Sequence, residues 1–77
     1  MPYNPPNSLT DLSGLAQSCA FVMISNGDSV ESVDDLIYQN NWVDTAQDEM
    51  INNRGFDINQ VRDAIQVGIH AAIAELA

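Results

Sequence analysis

Lysine is absent from this 77-residue chain, and the only arginines are Arg54 and Arg62. Nucleic-acid-binding proteins neutralise runs of phosphates with many cationic side chains, so this composition argues against direct binding of DNA or RNA. The same shortage argues against docking on an anionic membrane surface. No apolar stretch approaches the roughly 20 residues that a membrane-spanning helix needs. We therefore expect neither nucleic acid nor membrane as a direct partner.

The residue types that most often carry catalysis are also scarce. Cys19 is the single cysteine and lies in the apolar stretch of residues 15–24, which predicts a buried, unreactive thiol. His70 is the single histidine and falls on the helix side opposite Val61, so we expect it to face water. One cysteine and one histidine cannot form a tetrahedral zinc site, and the four glycines follow no phosphate-binding pattern. The sequence predicts no catalytic residue, no metal and no cofactor.

Acidic residues dominate the charge of the chain. Eleven Asp and Glu residues give a formal net charge of -9, while 45% of the residues are hydrophobic. That hydrophobic fraction is typical of a globular protein, so the chain should fold despite its charge. A chain of this length buries only roughly 60 to 65% of its unfolded surface, and a second chain could supply further burial. The first residues lack the features of a secretory signal, which predicts a cytoplasmic protein, or one of the host cytoplasm if viral.

The first part of the chain predicts an arm followed by a helix. Residues 1–7 hold all three prolines and predict an extended arm, leaving residues 8–77 as a single helical domain. Ser8 and Asp11 have the spacing of a helix N-terminal capping box, and Asn26 with Gly27 is typical of a helix end. Residues 20–24 are apolar on all sides and would also suit a strand. We expect a helix, because no second strand is available to pair with it.

Two further helices complete the predicted fold. The capping pattern of residues 28–31 predicts a long second helix that continues to residue 54 and that Asn40 and Asn41 could bend or split. Asp57 predicts the start of a third helix, whose apolar face is broad enough to need two neighbours. We expect an all-α, up-down-up three-helix bundle. On the third helix, small residues would allow a close approach by another helix or by a second copy of the chain; they are Ala64, Gly68 and Ala72.

One stretch resembles a known family. The stretch consists of Gly27, Asp28, Ser29, Val30, Glu31, Ser32 and Val33. It resembles the acyl carrier proteins, whose Asp-Ser-Leu serine carries a phosphopantetheine arm at the start of an acidic second helix. The resemblance implies modification of Ser29. The chain departs from the family in its short loop before Ser29 and in the acidic Asp35, so an N-cap role for Asp28 or Ser29 is the favoured explanation.

The second predicted helix carries the candidate site. At 100° per residue its aliphatic residues share one side, and an acidic and aromatic set faces the other side. Tyr38 and Trp42 are spaced i,i+4, which predicts two adjacent rings of the kind that anchor protein interfaces. The alternative is that the arm, with Tyr3, Pro5 and Pro6, covers Trp42. The predicted partner-binding residues are Glu31, Asp35, Tyr38, Trp42 and Glu49, with Thr45 between them.

These features favour a non-enzymatic acidic interaction module or inhibitor that binds a basic partner protein. A more specific form is a phage-encoded inhibitor that covers a nucleic-acid-binding surface by placing carboxylates where phosphates would lie. One alternative is a structural helical subunit that forms a homodimer through the third helix. The other is a carrier protein modified at Ser29.

Overall fold

A computed structural model describes residues 5–77 and shows four helices, with no strand among those residues. The prediction of an all-α fold is confirmed, including the helical state of residues 20–24, but the prediction of three helices is wrong. Residues 1–4 of the predicted arm, with Tyr3, lie outside the described residues. Within the rest of the arm Pro5 is exposed and Pro6 is buried. The helices are α1 (Leu9–Ser25), α2 (Val33–Gln39), α3 (Asn41–Asn52) and α4 (Ile58–Leu76).

Helix α1 begins and ends where the sequence predicts. The Ser8 hydroxyl accepts a hydrogen bond from the Asp11 N–H at 3.1 Å, which satisfies one of the unpaired donors of the first turn. The Asp11 carboxylate accepts from the Asn7 N–H at 3.3 Å. At the other end the Asn26 N–H donates to carbonyls of the last turn, and Gly27 has a φ of 96°, a left-handed conformation that glycine adopts without a Cβ clash.

Helix α2 begins later than predicted. Its N-cap is Ser32, so the proposed N-cap role of Asp28 or Ser29 is wrong. The Ser32 hydroxyl accepts from the Asp35 N–H, and the Asp35 carboxylate accepts from the Ser32 N–H, which together form a capping box. Residues 28–31 have the same spacing but do not form a cap. Because the helix starts after Ser32, Val30 belongs to the preceding loop, and its side chain is buried in the core.

Asn40 divides the predicted second helix into two. Its backbone is extended, with φ -128° and ψ 108°, so the helical hydrogen bonds stop there. Its N–H donates to the Leu36 carbonyl at 2.8 Å and its side-chain oxygen accepts from the Val43 N–H at 3.2 Å. One asparagine therefore ends α2 and begins α3. The split at this position is confirmed, whereas a continuous helix to residue 54 does not form.

Helix α4 begins after Asp57, as predicted, and packs mainly against α1. The Ser13 hydroxyl donates to the Ala64 carbonyl at 2.6 Å, and Gly68 lies against Ala16 further along α1. Residues further along α1 contact residues further along α4, so the two helices run parallel. The predicted close approach at the small residues of α4 is confirmed, and the helix that approaches is α1 of the same chain.

The core lies between the α1–α4 pair and the shorter helices α2 and α3. Among the described residues none of the buried side chains is polar or charged. The acidic residues therefore all reach the surface, where water solvates them. The largest fully buried side chains come from all four helices and are Leu12, Leu36, Val43, Met50, Val61, Ile65 and Ile69.

Candidate protein-interaction surface

Tyr38 is the most exposed large hydrophobic side chain among the described residues, with 92% of its surface accessible. It lies near the end of α2, whose inward side is occupied by the buried Val33 and Leu36. At 100° per residue Tyr38 lies about 140° around the helix from Val33 and about 160° from Leu36, so the packing of α2 holds the ring outward. The outward orientation that the sequence predicted for Tyr38 is therefore present in the structure.

Trp42 lies on α3 and is 41% exposed, so more than half of its surface is covered. The extended backbone of Asn40 separates it from Tyr38. The prediction that the two rings form an i,i+4 pair on one helix is therefore wrong, because that geometry needs continuous helical backbone. Trp42 borders a shallow depression that is also lined by Gln39, Asn40 and Asn41. The two rings lie on either side of the boundary between α2 and α3.

Asp35 stabilises the start of α2. Its carboxylate accepts hydrogen bonds from the Glu31 N–H and the Ser32 N–H, both at 3.1 Å. The bond from Glu31, followed by those from Ser32, lowers the pKa of Asp35 below its ordinary value, because each donor favours the charged form. We therefore assign Asp35 a structural role in the fold, in addition to its predicted place in the partner site.

The lowered pKa of Asp35 predicts a contribution to stability that depends on pH. A carboxyl whose folded pKa is depressed stabilises the fold above its unfolded pKa, and this contribution is lost as the pH falls from about 4 through the folded pKa. We expect the difference in unfolding free energy between wild type and Asp35→Asn to shrink over that range. Chemical denaturation at a series of pH values measures it.

The control for this experiment is Asp48→Asn, which removes the same charge from an exposed position that caps no helix. Both variants reduce the acidic repulsion of the chain by one charge. Subtracting the two pH profiles isolates the contribution of the cap. Parallel profiles for the two variants would show that the hydrogen bonds to Asp35 do not affect its titration.

Both arginines are paired with carboxylates within the chain. Arg54 lies 3.6 Å from Glu49, and Arg62 lies 3.1 Å from Asp34. Each pair is partly exposed to solvent, so each contributes at most about 1 kcal/mol to stability. The predicted site residue Glu49 is therefore already paired, and its charge is partly offset by Arg54. Any partner that uses Glu49 has to compete with that arginine.

Glu31 does not lie on a helix, which corrects its predicted place on the outward side of the second helix. It is an exposed residue of the loop between α1 and α2. Together with Asp28 it lines a groove whose apolar residues include Ile24 of α1 and Ile73 of α4. Sequence reasoning missed this groove, because Ile73 is distant from the loop along the chain and carries no local signal. The five predicted residues therefore do not lie on the outward side of a single helix: Glu31 is in a loop, Asp35 and Tyr38 are on α2, and Trp42 and Glu49 are on α3.

The acidic residues are concentrated in one part of the chain. Residues 28–49 hold seven of the eleven carboxylates and no arginine or lysine. This stretch includes α2 and most of α3, so Tyr38 and Trp42 lie in the most acidic part of the sequence, although Arg62 and Arg54 offset the charges of Asp34 and Glu49. Such a potential attracts cationic groups and speeds their encounter with the surface. The seven residues are Asp28, Glu31, Asp34, Asp35, Asp44, Asp48 and Glu49.

Three side chains of chemically reactive types, Cys19, His70 and Ser29, lie outside the predicted site. Cys19 is half-buried, and burial raises the pKa of its thiol despite an opposing hydrogen bond from Asn40, so little thiolate forms at neutral pH. His70 is exposed, as predicted, and its ring nitrogen lies 2.9 Å from the side-chain nitrogen of Gln66. Ser29 is exposed in the loop, four residues before the start of α2. No group of three or more metal-binding side chains was found within residues 5–77.

Comparisons with known proteins give no further indication. No protein-family model matches the chain, and neither the curated proteins nor the solved structures include a match. None of the described helices has both the length and the apolar character that crossing a membrane would require. The functional interpretation therefore rests on the chemistry of the surface.

Proposed function

We propose that this protein is a non-enzymatic acidic interaction module that binds a basic partner protein through the surface around Tyr38. The observation that carries the proposal is the 92% exposure of the Tyr38 ring within the most acidic part of the chain. A ring that the fold leaves in water contributes little to stability, yet it offers a large area with few rotatable bonds to a partner. Trp42, across the α2–α3 boundary, would extend that contact.

Charge gives the class of partner. With a net charge of -9 and both arginines already paired, the chain repels other acidic proteins and attracts basic ones. Asp44 and Asp48 on α3 have no arginine partner among the described residues, so their charge remains available at the surface. The partner would thus combine a pocket for an aromatic ring with lysine or arginine side chains around it.

Tyr38→Ala should reduce affinity for the partner by about 30-fold or more, because truncating a central aromatic anchor typically costs 2 kcal/mol or more. The partner is first identified by capture on the tagged full chain in extracts of the native host. Its dissociation constant is then measured by calorimetry for the wild type and the variant. Tyr38→Phe is the matched control and should bind within a few-fold of wild type, since it keeps the ring.

Equal affinity of wild type and Tyr38→Ala for the purified partner would contradict the proposed anchor. The dependence of affinity on salt separates two forms of the proposal. Steep weakening by salt would favour an inhibitor, such as a phage-encoded one, that replaces nucleic acid on a basic surface. Binding that resists salt and is lost in Trp42→Ala would favour aromatic anchoring.

The two alternative functions have their own tests. In a homodimer, the small residues of α4 that pack against α1 would not be available, so exposed residues of α4 such as Val67 would have to form the contact. Sedimentation of the full chain at micromolar concentration would detect such a dimer. A carrier function would appear as a phosphopantetheine mass increase on Ser29 after incubation with the transferase.

A further inference from the structure

A second surface lies at the end of the molecule where α1 and α4 finish. Ile24, Val30 and Ile73 form the apolar part of the groove described above, and Ile73 is 39% exposed. Phe21, one helical turn before Ile24, is also exposed, and it lines a separate depression with Val22 and Glu75. An aliphatic side chain that entered the groove would remove its apolar atoms from water.

Carboxylates border the groove. Asp28 and Glu31 line it directly, and neither side chain has an ion-pair or hydrogen-bond partner among the described residues. Because α1 and α4 are parallel, the negative ends of both helix dipoles lie at this end of the molecule, and neither last turn contains a basic residue. The groove therefore combines an apolar floor with uncompensated negative charge.

A second copy of this chain is a poor occupant. Its only arginines, Arg54 and Arg62, are paired with Glu49 and Asp34 within each copy. Two copies would also bring together two net charges of -9. A heterologous partner that supplies aliphatic and cationic side chains satisfies both parts of the groove.

We propose that this groove binds a basic amphipathic helix of a partner protein. One aliphatic side chain of that helix packs on Ile24 and Ile73, and its lysine or arginine side chains pair with Asp28 and Glu31. The inference rests on the proposed function only for the basic character of the partner, and it names a surface separate from Tyr38. A partner that occupied both surfaces would gain affinity from the second contact without any change in the first.

The test uses the full chain and a short synthetic helical peptide of leucine and lysine, with the leucines on one face. We expect the peptide to shift the backbone amide NMR signals of Ile24, residues 28–31 and Ile73. The double variant Asp28→Asn/Glu31→Gln should weaken binding about tenfold, since it removes two charge pairs without changing side-chain size. The matched control is Asp11→Asn/Asp63→Asn, which changes net charge equally at two exposed residues outside both proposed surfaces and should weaken binding less than about threefold.

Three further measurements complete the test. Ile73→Ser should weaken binding about tenfold, with thermal unfolding used to confirm that the variant is folded. The same peptide with glutamate in place of lysine should not bind. Tyr38→Ala should bind the peptide as tightly as wild type. The experiment therefore tests binding at the groove independently of the proposed partner binding at Tyr38.

Several results would overturn the inference. Equal weakening by the two double variants would show an effect of net charge alone. Amide shifts confined to α2 and α3 would be compatible with the proposed function but would exclude the groove as the binding site of the peptide. Absence of binding, or a dimer of the chain that competes with the peptide, would exclude a basic helix as the occupant.

Discussion

Gly68→Ala should destabilise the protein by about 2–4 kcal/mol, a large fraction of the stability of a small domain. A Cβ at this position would meet the Ser13 carbonyl oxygen and come within 2.9 Å of both the Ala16 Cβ and the Gln17 backbone nitrogen. Two of these three atoms belong to the α1 backbone, which cannot rotate away as a side chain can. The helices would have to separate, and the core between them would lose contact.

Gly14→Ala is the matched control, because it makes the same chemical change within a helix. A Cβ at Gly14 would meet nothing within 4 Å. Alanine is favoured over glycine in a helix interior by about 0.8–1.0 kcal/mol, so this variant should be more stable than wild type. The two substitutions therefore have opposite expected signs.

Thermal and urea unfolding measure both variants. Since 1 kcal/mol corresponds to about 4–8 °C in a domain of this size, the melting temperature should fall by roughly 10 °C or more for Gly68→Ala and rise by several degrees for Gly14→Ala. Destabilisation of similar size in both variants, or an unchanged Gly68→Ala, would contradict the close packing of α1 on α4.

Leu36→Ala should cost about 3 kcal/mol, within the range of 2–5 kcal/mol measured for buried leucines. Helix α2 has seven residues, and its fully buried attachment to the core is Leu36, with Val33 nearly buried beside it. A helix of two turns is too short to be stable without tertiary contacts. Loss of the Leu36 side chain should therefore loosen α2 as a unit.

Tyr38→Ala is the control on the same helix. The substitution removes a larger side chain from a position that is almost fully exposed. The unfolding free energy of the variant should therefore stay within about 0.5 kcal/mol of the wild-type value. Urea unfolding gives both free energies, and amide hydrogen exchange reports whether α2 opens before the rest of the chain. Equal losses for Leu36→Ala and Tyr38→Ala would contradict the assigned orientation of α2.

Features that depend on nearby residues could be predicted from the sequence. The caps at Ser8 and Asp57 and the end of α1 at Asn26 follow from side-chain and backbone preferences within a few residues. The spacing of apolar residues on the last helix predicted most of its buried face, including Gly68, but it also placed Ile58, Ile73 and Leu76 on that face, and these three residues are exposed. Each signal was local, and the one competing pattern, a strand over residues 20–24, had no second strand to pair with.

The second predicted helix had two competing start signals. Residues 28–31 and Ser32 with Asp35 share one spacing, and the choice between them depends on whether Val30 is buried from a loop or from a helix. That choice is a property of the whole core, not of the local sequence. The split at Asn40 was foreseen as an option, but its effect on the rings was not.

The candidate site could be predicted only in part. The exposure of Tyr38 follows from its position on the side of α2 opposite the buried Val33 and Leu36, so the sequence indicated it. Trp42 lies on a different helix from Tyr38, and Glu31 lies in the loop before α2. Both placements follow from helix boundaries that the sequence did not determine. The groove at Ile73 depends on residues distant along the chain, so only the folded structure brings them together.

The internal pairing of Arg54 and Arg62 affects how the molecule meets others in solution. With those cations neutralised, molecules of the same kind repel each other across a Debye length of about 8–10 Å at physiological ionic strength. A strongly cationic protein would be attracted before any contact forms, and the concentration of carboxylates in residues 28–49 would favour its approach toward that part of the surface. In the proposed complex, short-range contacts, above all those of the exposed Tyr38 ring, would then select one bound orientation.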